Sequence, residues 1–180
     1  MGPAFCSAVG GTIIMLAAIP SQSMPIPLQA RPNRVVSPLV GQASVIGGQS
    51  GTDYSLLNVK DEKLAVGERL EFYYGDRNGQ VLLGEPGYFH VLLDRAGKRL
   101  VIDLAQVTKT AVDPLKLEAI LLKSTLVASS EMTMDPMDGS TNITLNLKTA
   151  VHAGVGVATD HQSRMFIDLR PMSNTSVGSR

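Results

Sequence analysis

A hexapeptide that the chain uses twice sets the narrowest limit on its fold. Arg99-Leu100-Val101-Ile102-Asp103-Leu104 returns, from position 164, as Arg164-Met165-Phe166-Ile167-Asp168-Leu169. Both copies alternate with the two-residue period of a β-strand, which sends successive side chains to opposite faces. Leu100, Ile102 and Leu104 share one face, as do Met165, Ile167 and Leu169, and such a face needs a core. Arg99, Val101 and Asp103, with Arg164, Phe166 and Asp168, form an Arg–apolar–Asp stripe that burial does not call for. Two halves built alike, each closing on the same strand, is the simplest organisation.

Short alternating runs recur between and around the two copies. Tyr54 to Val59, Arg69 to Tyr74, Tyr88 to Leu93, Ser124 to Met134, Asn142 to Leu147 and Val151 to Ala158 all read as strands. Turn signals separate them, among them Asn78-Gly79, Pro86-Gly87, Asp94 to Lys98 and Asp135 to Ser140. Asp113-Pro114 suits a helix N-cap followed by the first helical position, with Leu117, Ile120 and Leu121 spaced for one face. The same residues also suit a strand entry; a short helical turn is the preferred reading. No long helical periodicity appears. The expected fold is all-β: a sandwich of two related small antiparallel sheets, an internal two-fold duplication, over residues 54–170.

Residues 1–30 contain no Lys, Arg, Asp or Glu, and Ala8 to Ile19 is an apolar run of signal-peptide length. It is short for a transmembrane helix. Ser21-Gln22-Ser23 supplies small residues, so 1–23 is expected to be a signal peptide cleaved before Met24, although no basic segment precedes it. A core-packing or disordered arm is the competing reading. Residues 24–53 have the Pro, Gly, Ser and Gln composition of a flexible linker, with order expected from Asp53. Residues 171–180 read as a flexible polar tail. The expected location is the periplasm or the exported cell envelope.

Composition removes several function classes. Sixteen Lys and Arg balance sixteen Asp and Glu, so the basic footprint of a nucleic-acid binder is missing. The single cysteine, Cys6, allows neither an internal disulfide nor a zinc-type cluster. His90, His152 and His161 lack metal-ligand spacing, and Gly154-Val155-Gly156 lacks the third glycine and the helix of a dinucleotide loop. No nucleophile elbow is present. No catalytic group, metal set or cofactor motif is legible, and the chain reads as non-enzymatic. The stripe is the exception. Arg99 and Asp103 lie roughly 13 Å apart along their strand at about 3.3 Å per residue, too far to neutralise each other. They are left to pair across strands on a solvated face or to bind a ligand, and both readings stand.

The strand pair Tyr88-Phe89-His90-Val91-Leu92-Leu93 and Arg99 to Leu104 resembles the first half of an AMIN domain. Thr141 to Lys148, with Val151 and then Arg164 to Leu169, resembles the second half. AMIN domains are bacterial, envelope-exported modules found ahead of N-acetylmuramoyl-L-alanine amidases and type IV pilus secretins. The resemblance covers about residues 54–170. It implies a sandwich of two related small sheets and a role in binding peptidoglycan and localising to the cell wall. It places the outward binding motif on Arg99, Asp103, Arg164 and Asp168, with Tyr88 and Tyr73 as candidate stacking groups. An arginine fork suits stem-peptide carboxylates, and an aspartate accepts from sugar hydroxyls or amines. The implied partners are peptidoglycan and envelope machinery such as an amidase or secretin. An adaptor for a pilus or secretion assembly is the alternative function.

Overall fold

Alternate residues of the two hexapeptides meet in one core. Leu100, Ile102, Leu104, Met165, Ile167 and Leu169 are all fully buried and belong to a single apolar cluster. The computed structural model describes residues 34–39, 43–51 and 53–172. The expected signal segment 1–23 lies outside the described residues, as do positions 173–180 of the expected tail.

Eleven strands and one helix are described. They are β1 (Arg34–Leu39), β2 (Ala43–Gly47), β3 (Tyr54–Lys63), β4 (Glu68–Gly75), β5 (Phe89–Leu93) and β6 (Arg99–Leu104), then β7 (Val107–Thr110) and α1 (Pro114–Leu121). The last four strands are β8 (Val127–Asp135), β9 (Ser140–Leu147), β10 (Val151–Ala158) and β11 (Arg164–Pro171). One sheet runs β1-β10-β11-β4-β3-β7 and the other β2-β5-β6-β9-β8. The pairs are antiparallel except β3 with β7. This is an all-β sandwich. The eight strands read from the sequence are all present, and α1 starts where its cap signal places it: Asp113 Oδ1 accepts from the Lys116 amide at 2.7 Å.

The duplication takes a particular form. Each half gives one hairpin to each sheet, rather than forming a sheet of its own. The first half places β3-β4 in one sheet and β5-β6 in the other; the second places β8-β9 beside β6 and β10-β11 beside β4. The registers match. Met165 pairs with Phe72 and Asp168 with Arg69, as Leu100 pairs with Leu145 and Asp103 with Asn142. Even the irregularity is shared: β3 shifts register between Leu56 and Asn58, and β8 between Val127 and Ser129. An extra residue in one strand of a pair re-aims the side chains beyond it, so its recurrence at equivalent positions marks the halves as copies.

The expectation of a linker over 24–53 is corrected for residues 34–39 and 43–47, while 24–33, 40–42 and 52 lie outside the described residues. Residues 34–39 and 43–47 form β1 and β2, which extend the two sheets at β10 and β5. Both are outermost strands, a place that tolerates Pro38 because one row of backbone donors there goes unpaired. The surrounding Pro, Gly and Ser composition disguised them. β7 was missed as well; it is four residues long and takes its pairing from β3.

Two carboxylates are folded inward. Glu68 is buried and accepts from the Ser124 hydroxyl and from the Thr125 amide and hydroxyl. Burial works to raise its carboxyl, but these donors outweigh it and hold the acid below the usual glutamate range. The clamp ties β4 to the segment between α1 and β8. Asp61 occupies the inward position that Met132 fills in the other half. Its Oδ1 is buried without a hydrogen bond. Burial, with the Glu68 charge adding to it and Lys63 opposing, pushes its carboxyl up to about 6.

This core makes two expectations measurable. Ile102→Ala and Ile167→Ala, one in each sheet, are each expected to lower unfolding free energy by about 2–5 kcal/mol in denaturant titrations. Asp61 is protonated more readily folded than unfolded, so its contribution is full below about pH 4 and lost as pH rises through 6. Asp61→Asn should therefore raise the thermal midpoint above pH 6, with the gain shrinking to nothing near pH 4.

Candidate functional site

Because β6 and β11 lie in different sheets, their outward stripes face opposite sides of the sandwich. The structure does not bring Arg99, Asp103, Arg164 and Asp168 into one site. It gives the two copies of the hexapeptide different neighbours.

On the six-stranded sheet the stripe is neutralised. Arg69, across from Asp168 on β4, donates to both its carboxylate oxygens at 2.6 and 3.0 Å. Arg164 donates to Glu71 at 3.1 Å and to Asp160 at 2.6 Å. Glu71 also accepts from the Tyr73 hydroxyl. Burial tends to lower the Arg164 guanidinium, but its carboxylate partners prevail and hold it above its ordinary range. The end of the Phe166 ring closes over Gly156, where a Cβ would come within 2.3 Å of it. The Arg69 guanidinium covers the ring, 4.2 Å from its centre. For Arg164 and Asp168 the cross-strand reading holds.

On the five-stranded sheet the partners change. Tyr73, Glu71 and Arg69 of β4 correspond in register to Asn146, Thr144 and Asn142 of β9, all neutral. Arg99 is exposed and makes no ion pair among the described residues. Asp103 is half-buried beside His90 of β5 and Asn142 of β9, and its Oδ1 is buried without a hydrogen bond. Burial, reinforced by the Asp138 charge and opposed by His90, raises its carboxyl above the usual aspartate range. Val101 takes the place of Phe166, with Leu92 where the other copy has Gly156. Tyr88, 38% exposed, precedes β5 and is anchored by its carbonyl, which accepts from the Ala105 amide at 3.0 Å.

The outer face of β5, β6 and β9 therefore joins an unpaired cation, an under-bonded carboxyl, carboxamides, a histidine and a phenol to two aliphatic side chains. This array can donate to carboxylates and carbonyls, accept from hydroxyls and amides, and pack on an apolar ring face. Tyr73, the second stacking candidate, is on the opposite face and half-buried among its charged neighbours. His90, Asn142 and Thr144 were missed as site residues; their even spacing on strands paired with β6 was the available signal.

Among the described residues, no three His, Cys, Asp or Glu side chains gather as a metal set. No helix among them is long and apolar enough to cross a membrane. The sequence matches no protein-family model and no curated protein.

Removing one arginine from each stripe should separate the two environments. Arg164→Ala strips the cation from buried Glu71 and is expected to cost about 1–3 kcal/mol of stability. Arg99→Ala should stay within about 0.5 kcal/mol of the parent in the same denaturant titration.

Proposed function

We propose that this chain is a non-catalytic cell-envelope module that binds peptidoglycan through the outer face of its five-stranded sheet. The observation that carries this reading is the loss of counter-charges around one copy of the stripe. Arg and Asp hold the same places in both hexapeptides, yet Arg99 and Asp103 face Asn142, Thr144 and Asn146 where Arg164 and Asp168 face Glu71 and Arg69. Leaving Asp103 under-bonded costs stability that a neutral replacement would avoid, and a ligand donating to its buried Oδ1 would offset that cost. Peptidoglycan offers what the face can satisfy: stem carboxylates for Arg99, sugar hydroxyls and amides for Asp103, Asn142 and Thr144, and a ring face for Tyr88. The sandwich of two related sheets is also the architecture that the AMIN resemblance implies. Exported, periplasmic placement belongs to the same proposal.

Co-sedimentation with purified sacculi tests it. The parent protein should pellet, and Arg99→Ala should weaken binding about tenfold, the equivalent of one charge-assisted hydrogen bond. Asp103→Asn should weaken it similarly, while Arg164→Ala should bind as the parent does. Parent protein that stays in the supernatant, yet is retained by an immobilised amidase or secretin, would overturn the wall-binding reading. It would establish the adaptor reading instead.

A further inference from the structure

The edge of the six-stranded sheet next to α1 is only partly closed. β7 runs parallel to β3 but pairs with Tyr54, Ser55 and Leu56 only. The Ala111 amide makes the last link, to the Leu56 carbonyl at 2.8 Å. Asp113 then caps α1 and the chain turns away. From Val59 to Lys63, β3 has β4 on one side and no strand among the described residues on the other. Those five residues extend roughly 16 Å, at about 3.3 Å each.

A cleft of about 920 Å³ lies between this open edge and α1. Its helical wall is one face of α1 and the turn after it: Lys116, Ala119, Ile120 and Lys123, spaced as residues on one side of a helix must be. The wall is apolar in the middle and cationic at both ends. Lys60 and Lys63 line the strand side.

The carboxylates around the cleft leave positive charge uncompensated. Glu71 is held by Arg164 and Tyr73 and faces Lys60, whose ammonium lies over the Tyr73 ring, so Asp61 and Glu62 remain against the ammonium groups of Lys63, Lys116 and Lys123. Lys63 and Lys123 are exposed and without an ion pair among the described residues, while Lys116 donates to the Ala111 carbonyl at 3.0 Å. An unpaired strand edge is a template for another strand. A cationic rim selects an acidic one.

We propose that this cleft takes an extended acidic segment of a partner protein. The segment continues the strand position that β7 abandons, pairs its backbone with Val59–Lys63, and lays alternate apolar side chains on Ala119 and Ile120. Its carboxylates meet Lys63, Lys116 and Lys123. The surface is distinct from the proposed wall-binding face and does not depend on it.

A fluorescein-labelled, acetylated and amidated hexapeptide alternating glutamate and valine is the probe, read by fluorescence anisotropy on the full chain. It should bind, and its lysine–valine counterpart should not. The doubly substituted protein Lys63→Glu, Lys123→Glu should bind the acidic peptide at least tenfold more weakly. Both positions are exposed, and an unchanged circular dichroism spectrum and thermal midpoint should show that the variant is folded. N-methylation of alternate peptide amides should abolish binding, and hydrogen exchange at Asp61 and Lys63 should slow only with the unmethylated peptide. Absence of binding by the acidic peptide overturns the proposal. So does equal binding of the lysine–valine peptide, the N-methylated peptide or the charge-reversed protein.

Discussion

Along β4 and β11, and again along β6 and β9, strands far apart in sequence exchange backbone hydrogen bonds. Arg69 and Asp168, 99 residues apart, face each other across one of these seams. Each seam joins the first half of the domain to the second, and the two seams lie in different sheets. The common core is their result, because the inward residues of β6 and β11 can pack together only when both seams are formed. Burying those six apolar side chains supplies the hydrophobic drive, at about 1.5–3 kcal/mol for a fully buried aliphatic side chain, and the seams fix the register in which it acts.

The outward chemistry depends on the same seams. A hexapeptide does not carry its own electrostatic state; the strand beside it supplies that. Where β4 contributes Glu71 and Arg69, the Arg–Asp stripe closes into paired charges roofed over an aromatic ring. Where β9 contributes Asn142 and Thr144, it stays open. One repeated motif thus yields a surface of paired charges on one side and one whose charges stay unpaired on the other. The charges that make the first quiet are themselves part of the fold, since the Glu71 backbone lies between Lys60 and Phe166 in the sheet.

Much of this architecture is legible in the sequence because strand alternation is local. Leu100 and Ile102 announce their face within three residues, and Asp113-Pro114 announces a cap within two. β1, β2 and β7 are not legible, because their existence rests on partners elsewhere in the chain. Val45 and Ile46 look like linker until β5 is placed beside them. The candidate site divides the same way. Arg99 and Asp103 stand out by repetition, but their unequal fate against Arg164 and Asp168 is invisible, since pairing to β9 or β4 is a long-range property. Asp61 gives no signal either; only the match of its position to Met132 shows that it points inward.

The crossing of hairpins between sheets bears on how such a chain could arise and assemble. A single half holds one hairpin for each sheet and the neighbour of neither, so alone it would expose both seam edges and half a core. It closes only against a second copy of itself, with each copy lending a hairpin to the other's sheet, as subunits do in a domain-swapped two-fold dimer. Joining the copies end to end turns that association into an intramolecular step. The cost is kinetic: contacts of high sequence separation must form before burial rewards them, which places such a sandwich among slowly folding topologies. A ribosome-bound first half must therefore wait, edges unpaired, until β9 and β11 have been made.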